Sequence, residues 1–426
     1  MRNTTQILRL NLAFSAPPLQ WALHSCTPVL ASDFHTAAAR TPPPSAHPQI
    51  ALMTHLTKKN ILLVGNWRSD TGYAWQMIER FWIAIARAFP DRHTLLCFPE
   101  IGTINPEIQA AGIEVVQCSF DFDHPNELTT FCRQNDIGLI YLTDRPYTSR
   151  IYRHLRRSGV QRIIVHDHTP GQRTPPSALK AFIKKMNVNL FGADAYIACS
   201  EQVLDRMIVV GCLSPHHCHL ARNGIDITQF PSPSSTIRQE LSIPRDTLLV
   251  VSCSRLHPYK RVRDIVDAAA HLKDLPLHFI HVGDGPEINS IQFRISELGL
   301  ESRFTLLGHR NDVPQILSGC DIAAHASNGE VGLCLAILEF MASKLPLAVT
   351  DEPTVSQIIE PGINGLTFAH GNVSALAERL RALTLDNDLR ERLGRAARRT
   401  VESRHHIDDT VSAVVATIRD ALTTSL

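Results

Sequence analysis

Between Ser254 and Phe368, six short signals follow one another in an order suited to an anionic leaving group. Ser254-Arg255-Leu256 with Lys260 comes first, then Val282-Gly283-Asp284-Gly285-Pro286, then Gly308-His309-Arg310-Asn311-Asp312-Val313. Gly329-Glu330-Val331-Gly332 leads on to Glu339, and Thr350-Asp351 and Gly362-Ile363-Asn364-Gly365 close the series. Arg255 offers a planar fork for phosphate oxygens, and Lys260 a compact charge. Where a diphosphate leaves an anomeric carbon, negative charge grows on it, so fixed cations act mainly in the transition state.

The flanking sequence supplies elements to hold these groups. Leu248-Leu249-Val250-Val251 reads as a buried strand, and Val262, Ile265, Val266, Ala269 and Leu272 keep the rhythm of a helix. Arg255 and Lys260 therefore fall in a strand-to-helix turn, where open α/β sheets bind ligands, although a pair of plain surface cations would look the same. Ser327 to Gly332 follows the short strand Ile322-Ala323-Ala324 and opens a helix whose free N–H groups favour phosphate. Glu339 stands in that helix among Leu335, Ile337, Leu338 and Phe340. A carboxylate so placed needs a partner, either ribose hydroxyls or a salt bridge.

The first half repeats the alternation. Ile61 to Val64 reads as a strand and Gly65 to Tyr73 as a glycine-bounded loop that turns Gly72 toward a cleft, or else makes a plain turn. Trp75, Ile78, Phe81, Trp82, Ile85 and Phe89 mark the buried stripe of a helix. Further strands are expected at Thr94–Phe98, Ile113–Val116, Ile137–Leu142, Ile163–Val165 and Ala195–Ala198. His166-Asp167-His168 directly follows one of them, before the Pro170-Gly171 turn, and so points into the crevice unless the histidine merely caps the next segment. His166 with His168 has no third ligand at suitable spacing, and His216, His217, Cys218 and His219 fall in loop or strand just before the Asn223-Gly224 turn, so no metal is expected.

From about Lys59 onward, and most strongly from Val251 to Phe368, the sequence resembles the retaining glycosyltransferases of family 4 (glycosyl transferases group 1). The resemblance implies an α/β protein of GT-B fold, two doubly wound Rossmann-like domains facing a deep interdomain cleft. It implies that Arg255 and Lys260 hold the donor diphosphate and that Glu339 binds the nucleotide ribose. Arg310, Asp312 and Val313 would lie against the nucleobase, with Gly72, Gly283, Gly332 and Leu333 completing the donor site. His166 would stand near the donor sugar, with Asp167 and His168 on the acceptor side, and Asn223-Gly224-Ile225-Asp226 with Phe230 near the domain junction. Two positions depart from the pattern. Val331 stands where the first of two paired glutamates belongs, with Glu330 one residue early, and Lys344 replaces a glycine. A one-residue offset is absorbed in a loop, whereas mid-helix it would turn the carboxylate by about 100°. Glu330 is accordingly expected either to contact the sugar in place of that glutamate or to leave the role unfilled.

The implied activity is transfer of a sugar, with retention, from a UDP- or GDP-sugar co-substrate to a glycan, lipid-linked or small-molecule acceptor, without further cofactor or metal. A GT-B nucleotide-sugar epimerase is one alternative. A non-catalytic sugar-nucleotide-binding protein is another, suggested by Val331.

The 426 residues suit two domains: 53–230 on the acceptor side, a linker at 231–245, a nucleotide-sugar domain at 246–405, and a C-terminal helix at 406–426. Residues 1–52 hold a single acid and no sustained periodicity, and read as a disordered extension or a mis-assigned start. A signal peptide with Val29-Leu30-Ala31 as cleavage region is the rival, its apolar run broken by Pro17-Pro18, Gln20 and His24. A net charge of +1 argues against a nucleic-acid partner. Ten scattered cysteines without a Cys-x-x-Cys pair suggest reduced thiols and a cytoplasmic enzyme. Arg145, Arg150, Arg153, Arg156, Arg157 and Arg162 form one basic group, and Lys180, Lys184 and Lys185, interleaved with Phe182, Ile183 and Met186, form another. These suit peripheral contact with the inner face of a membrane, or a solvated helix face.

Overall fold

A computed structural model of the chain describes residues 59–70, 76–119, 125–169, 173–230, 235–330 and 332–423. Residues 1–58, Gly72, Pro170, Gly171 and Val331 lie outside the described residues.

Runs rich in β-branched and aliphatic residues become two parallel sheets. The first comprises β1 (Asn60–Val64), β2 (Thr94–Phe98), β3 (Ile113–Gln117), β4 (Ile137–Thr143), β5 (Arg162–Asp167), β6 (Ala195–Ala198) and β7 (Cys218–Leu220). The second comprises β8 (Leu248–Cys253), β9 (Leu277–Val282), β10 (Phe304–Leu306), β11 (Ile322–His325), β12 (Leu347–Thr350) and β13 (Leu366–Phe368). Parallel strands covered by helices on both faces must be apolar at every position, and β4 is buried along its whole length. Each sheet carries one apolar core on each face.

The strand order is β3-β2-β1-β4-β5-β6-β7 in the first sheet and β10-β9-β8-β11-β12-β13 in the second. Each order reverses once, between β1 and β4 and between β8 and β11. The loops leaving those strands at their carboxyl ends flank a ready-made crevice. β5 runs past the expected Val165 to Asp167, so His166 and Asp167 are its last residues rather than loop.

The second domain takes Ile225, Phe230 and Ile237 into its core, the last from a short helix, Ile237–Glu240. The chain then returns. After the helix Asn387–Arg404, Ile407–Thr423 packs on the first domain, burying Ile407, Val414 and Ile418 with Phe81, Trp82 and Ile85. The outgoing and returning segments bond as they pass, Ile225 N–H to His405 C=O at 2.9 Å and Ile407 N–H to Ile225 C=O at 3.1 Å. Gly224 has no substitute there, since a Cβ would lie 2.6 Å from the His406 carbonyl oxygen.

Candidate active site

The loop after β8 carries Arg255, which is exposed and has no side-chain partner among the described residues. Its backbone is shaped from beneath. Ser254 N–H bonds Val282 C=O at 3.0 Å, and Leu256 N–H bonds Asp284 C=O at 2.9 Å. Gly283, at φ 132°, permits this approach, because a Cβ would lie 2.0 Å from Ser254 O. His281 braces the same turn, 2.8 Å from Ser252 Oγ and 3.0 Å from Ser254 O. Burial pushes its pKa down to about 4, so it serves there as a neutral ring.

Lys260 ends the short helical turn Pro258–Lys260 and reaches across the reversal of strand order. Its Nζ donates to Glu330 Oε1 at 2.6 Å and Oε2 at 2.5 Å, and His325 Nε2 lies 2.7 Å from Glu330 Oε1. The two loops are also joined through backbone, Asn328 N–H to Tyr259 C=O at 2.7 Å. Burial opposes the charge on Glu330, but His325 and Lys260 outweigh it and hold the carboxyl well below its ordinary range. Burial likewise opposes charge on His325, yet Cys334 and Glu330 raise it, and Lys260 is raised in the same way. Glu330 is therefore an ionised group clamped between two cations. The donor atoms of His325, Glu330 and Cys334 lie within 4.8 Å of one another, but the Lys260 ammonium already takes both Glu330 oxygens.

Glu339 is buried in the helix Leu335–Ala342, and its side chain makes no hydrogen bond or ion pair among the described residues. Burial alone pushes its pKa up to about 8. An uncompensated buried carboxyl fits a group that waits for a ligand. Gly332, at φ 55°, lies against the first domain, where a Cβ would stand 2.4 Å from Cys199 Sγ. Leu333 is buried, and its carbonyl accepts from Asn223 Nδ2 at 3.2 Å, a second bond between the domains. Arg310 is held by Glu240 and Asp312, at 2.7 Å to an oxygen of each. Val313 starts the helix Val313–Ser318 with its side chain in the core.

On the first domain, Asp167 accepts from Tyr147 Oη, from Arg206 Nη2 at 2.9 Å, and from Thr169 N and Oγ1 at 2.7 and 2.6 Å. Burial raises the Asp167 pKa, but these donors outweigh it and keep the group ionised, so it anchors the loop. His166 is fully buried, with Nδ1 2.5 Å from Tyr141 Oη and Nε2 without a hydrogen-bond partner among the described residues. His168 packs on it at 4.1 Å between ring centroids, with neither ring nitrogen hydrogen-bonded among the described residues, although Nδ1 stands 3.9 Å from Asp144 Oδ1, and its backbone N–H meets Asp144 Oδ1 at 2.5 Å. Burial keeps both rings neutral.

A cavity of about 390 Å³ brings the two sides together, lined by Thr169, Arg173 and Arg206 from the first domain and by Glu330, Gly332 and Thr354 from the second. Arg255, His166 and His168 do not line it. Sequence reasoning did not single out His325, Arg206 or Tyr141. His325 had a usable signal, since it ends the apolar run of β11 as His166 nearly ends that of β5. Arg206 and Tyr141 had none.

Residues 233–400 match the family model of the glycosyl transferases, group 1. The second domain follows the group 1 glycosyl transferase pattern. Among curated relatives, the chain is 27% identical over 184 residues to N-acetyl-alpha-D-glucosaminyl L-malate synthase of Bacillus anthracis, covering 43% of this chain and 48% of that protein. It is 27% identical over 185 residues to UDP-Gal:alpha-D-GlcNAc-diphosphoundecaprenol alpha-1,3-galactosyltransferase of Escherichia coli, covering 42% and 48%. The chain thus spans about half the length of the curated relatives it matches. Among solved structures, a glycosyltransferase of Rickettsia africae superposes with a TM-score of 0.71 at 16% identity, covering 87% of this chain and 100% of that one. Anabaena HepE, solved with UDP and glucose, gives 0.67 at 22% identity, covering 85% and 100%. At these identities the likeness shows the fold, which is GT-B, and both GT-B domains are present.

Proposed function

We propose that this chain is a glycosyltransferase that moves a sugar from a nucleotide diphosphate sugar to a glycan, lipid-linked or small-molecule acceptor, with retention at the anomeric carbon. The observation that carries this reading is Arg255, unpaired among the described residues, on the loop neighbouring the Lys260–Glu330 pair, at the reversal of strand order in the second sheet. Arg255 would take the diphosphate oxygens, and Lys260, held in place by Glu330, would meet the charge that develops as the diphosphate leaves. Glu339 would receive the ribose hydroxyls, and the backbone near Val313 the base. UDP is favoured over GDP, because the Escherichia coli relative is named for UDP-Gal and HepE was solved with UDP.

In the step itself, the bond from the acceptor oxygen to the anomeric carbon forms while the bond from that carbon to the diphosphate oxygen breaks. The acceptor proton passes to a departing phosphate oxygen on the same face. Glu330 steadies Lys260 and the sugar and does not attack. Proton NMR of the glycosidic linkage, run with and without a chelator, tests this. A retained linkage formed equally well in chelator is expected, and an inverted linkage or a chelator-abolished reaction would sink it.

A further inference from the structure

The helix Ala178–Phe191, which follows β5 and precedes β6, wears its apolar face outward. Not one of its residues is buried, although Leu179, Phe182, Ile183, Met186 and Leu190 are large and apolar. At about 100° per residue these five fall within one arc of roughly 100°. They are half of the ten large apolar side chains that stand exposed among the described residues, with Leu179 70% and Phe182 62% accessible. The opposite side attaches the helix to the domain, through Val188 at the edge of the core and Lys184 Nζ donating to Val210 C=O at 2.7 Å. A contiguous exposed apolar stripe costs free energy in water unless something covers it.

The charge says what covers it. Lys180 and Lys185 flank the stripe, one on each side, and the helix contains no Asp or Glu. The adjoining helix Arg150–Arg157 adds exposed Arg153 and Arg157, and the segment leading in adds exposed Arg173. Apolar side chains rimmed by cations on a helix without acids fit an anionic lipid surface, the side chains entering the acyl boundary and the lysines meeting headgroups. Arg173 also lines the interdomain cavity, so the same edge of the first domain opens toward the acceptor side.

We infer that this helix lies in the surface of an anionic bilayer and presents the cleft to an acceptor held in that bilayer. The acceptor half of this inference rests on the proposed transfer reaction, whereas vesicle binding needs no donor, so the two fail separately. The test is co-sedimentation of the full chain with vesicles of phosphatidylcholine alone and of phosphatidylcholine with phosphatidylglycerol, beside a donor-induced melting shift on the same samples. Binding to the anionic vesicles is expected to exceed binding to the neutral ones by at least about tenfold. Phe182→Glu with Met186→Glu should abolish it, and Lys180→Glu with Lys185→Glu should weaken it about tenfold, each leaving the donor-induced shift unchanged. Absence of vesicle binding, or binding indifferent to both pairs of substitutions, would overturn the inference. So would light scattering that shows a dimer dissociated by Phe182→Glu with Met186→Glu, since a second copy would then cover the stripe.

Discussion

Arg255 and Lys260 read from sequence as two cations of one turn, and the fold gives them different circumstances. Arg255 is exposed and unpaired among the described residues, so Arg255→Ala should lower turnover about a hundredfold or more and leave the melting temperature unchanged. Lys260 is buried against Glu330, so Lys260→Ala should cost a similar factor in turnover and also up to about 3–5 kcal/mol of stability, read from denaturant unfolding. Equal stability of the two variants would contradict the clamp. Glu339 titrates in the opposite sense to Glu330. Its folded pKa of about 8 lies above the unfolded value, so its contribution to stability is present in acid and lost as pH rises through about 8. Glu339→Gln should therefore melt a few degrees above wild type at pH 9 and alongside it at pH 4, while its donor-induced shift shrinks. The unmet need of Glu339 was legible, because apolar neighbours in sequence imply burial. The partners of Glu330 were not, since Lys260 and His325 reach it through a strand order that no local pattern encodes.

Among the elements, strands with long aliphatic runs were legible nearly to the residue, as at Thr94–Phe98 and Ala195–Ala198. Cys218–Leu220 was ambiguous, because three residues with a central histidine carry too little pattern to separate strand from loop. The loop after β11 shows how a short element governs a site. Gly332 is needed twice, for its φ of 55° and for the space that Cys199 Sγ fills. Gly332→Ala is expected to push the domains apart and reduce kcat/KM at least about tenfold, with partial recovery when Cys199→Ala is added. Steady-state kinetics of both variants check this, and wild-type values for Gly332→Ala would mean the contact is dispensable.

On the scale of the whole molecule, two α/β domains were legible from the alternation of strand and helix signals. The helix at 406–426 was legible as an element, but its destination was not, because an apolar stripe does not say which core it will enter. It enters the first. Ile418→Ala should therefore cost about 2–5 kcal/mol, read from chemical denaturation followed by a probe in the first domain. Should that loss appear only in a probe of the second domain, the helix has been assigned to the wrong core.

That returning helix also bears on how the protein is made. A nascent chain usually folds domain by domain, the earlier one first. Here the sheet of the first domain is fully synthesised once Leu220 emerges, but Ile407, Val414 and Ile418 arrive only after the second domain has been translated. At roughly 5–20 residues per second, the roughly 200 intervening residues occupy on the order of ten to forty seconds. During that interval the surface around Phe81, Trp82 and Ile85 lacks its cover, so the first domain is the part of the newborn chain that a ribosome-associated chaperone would meet.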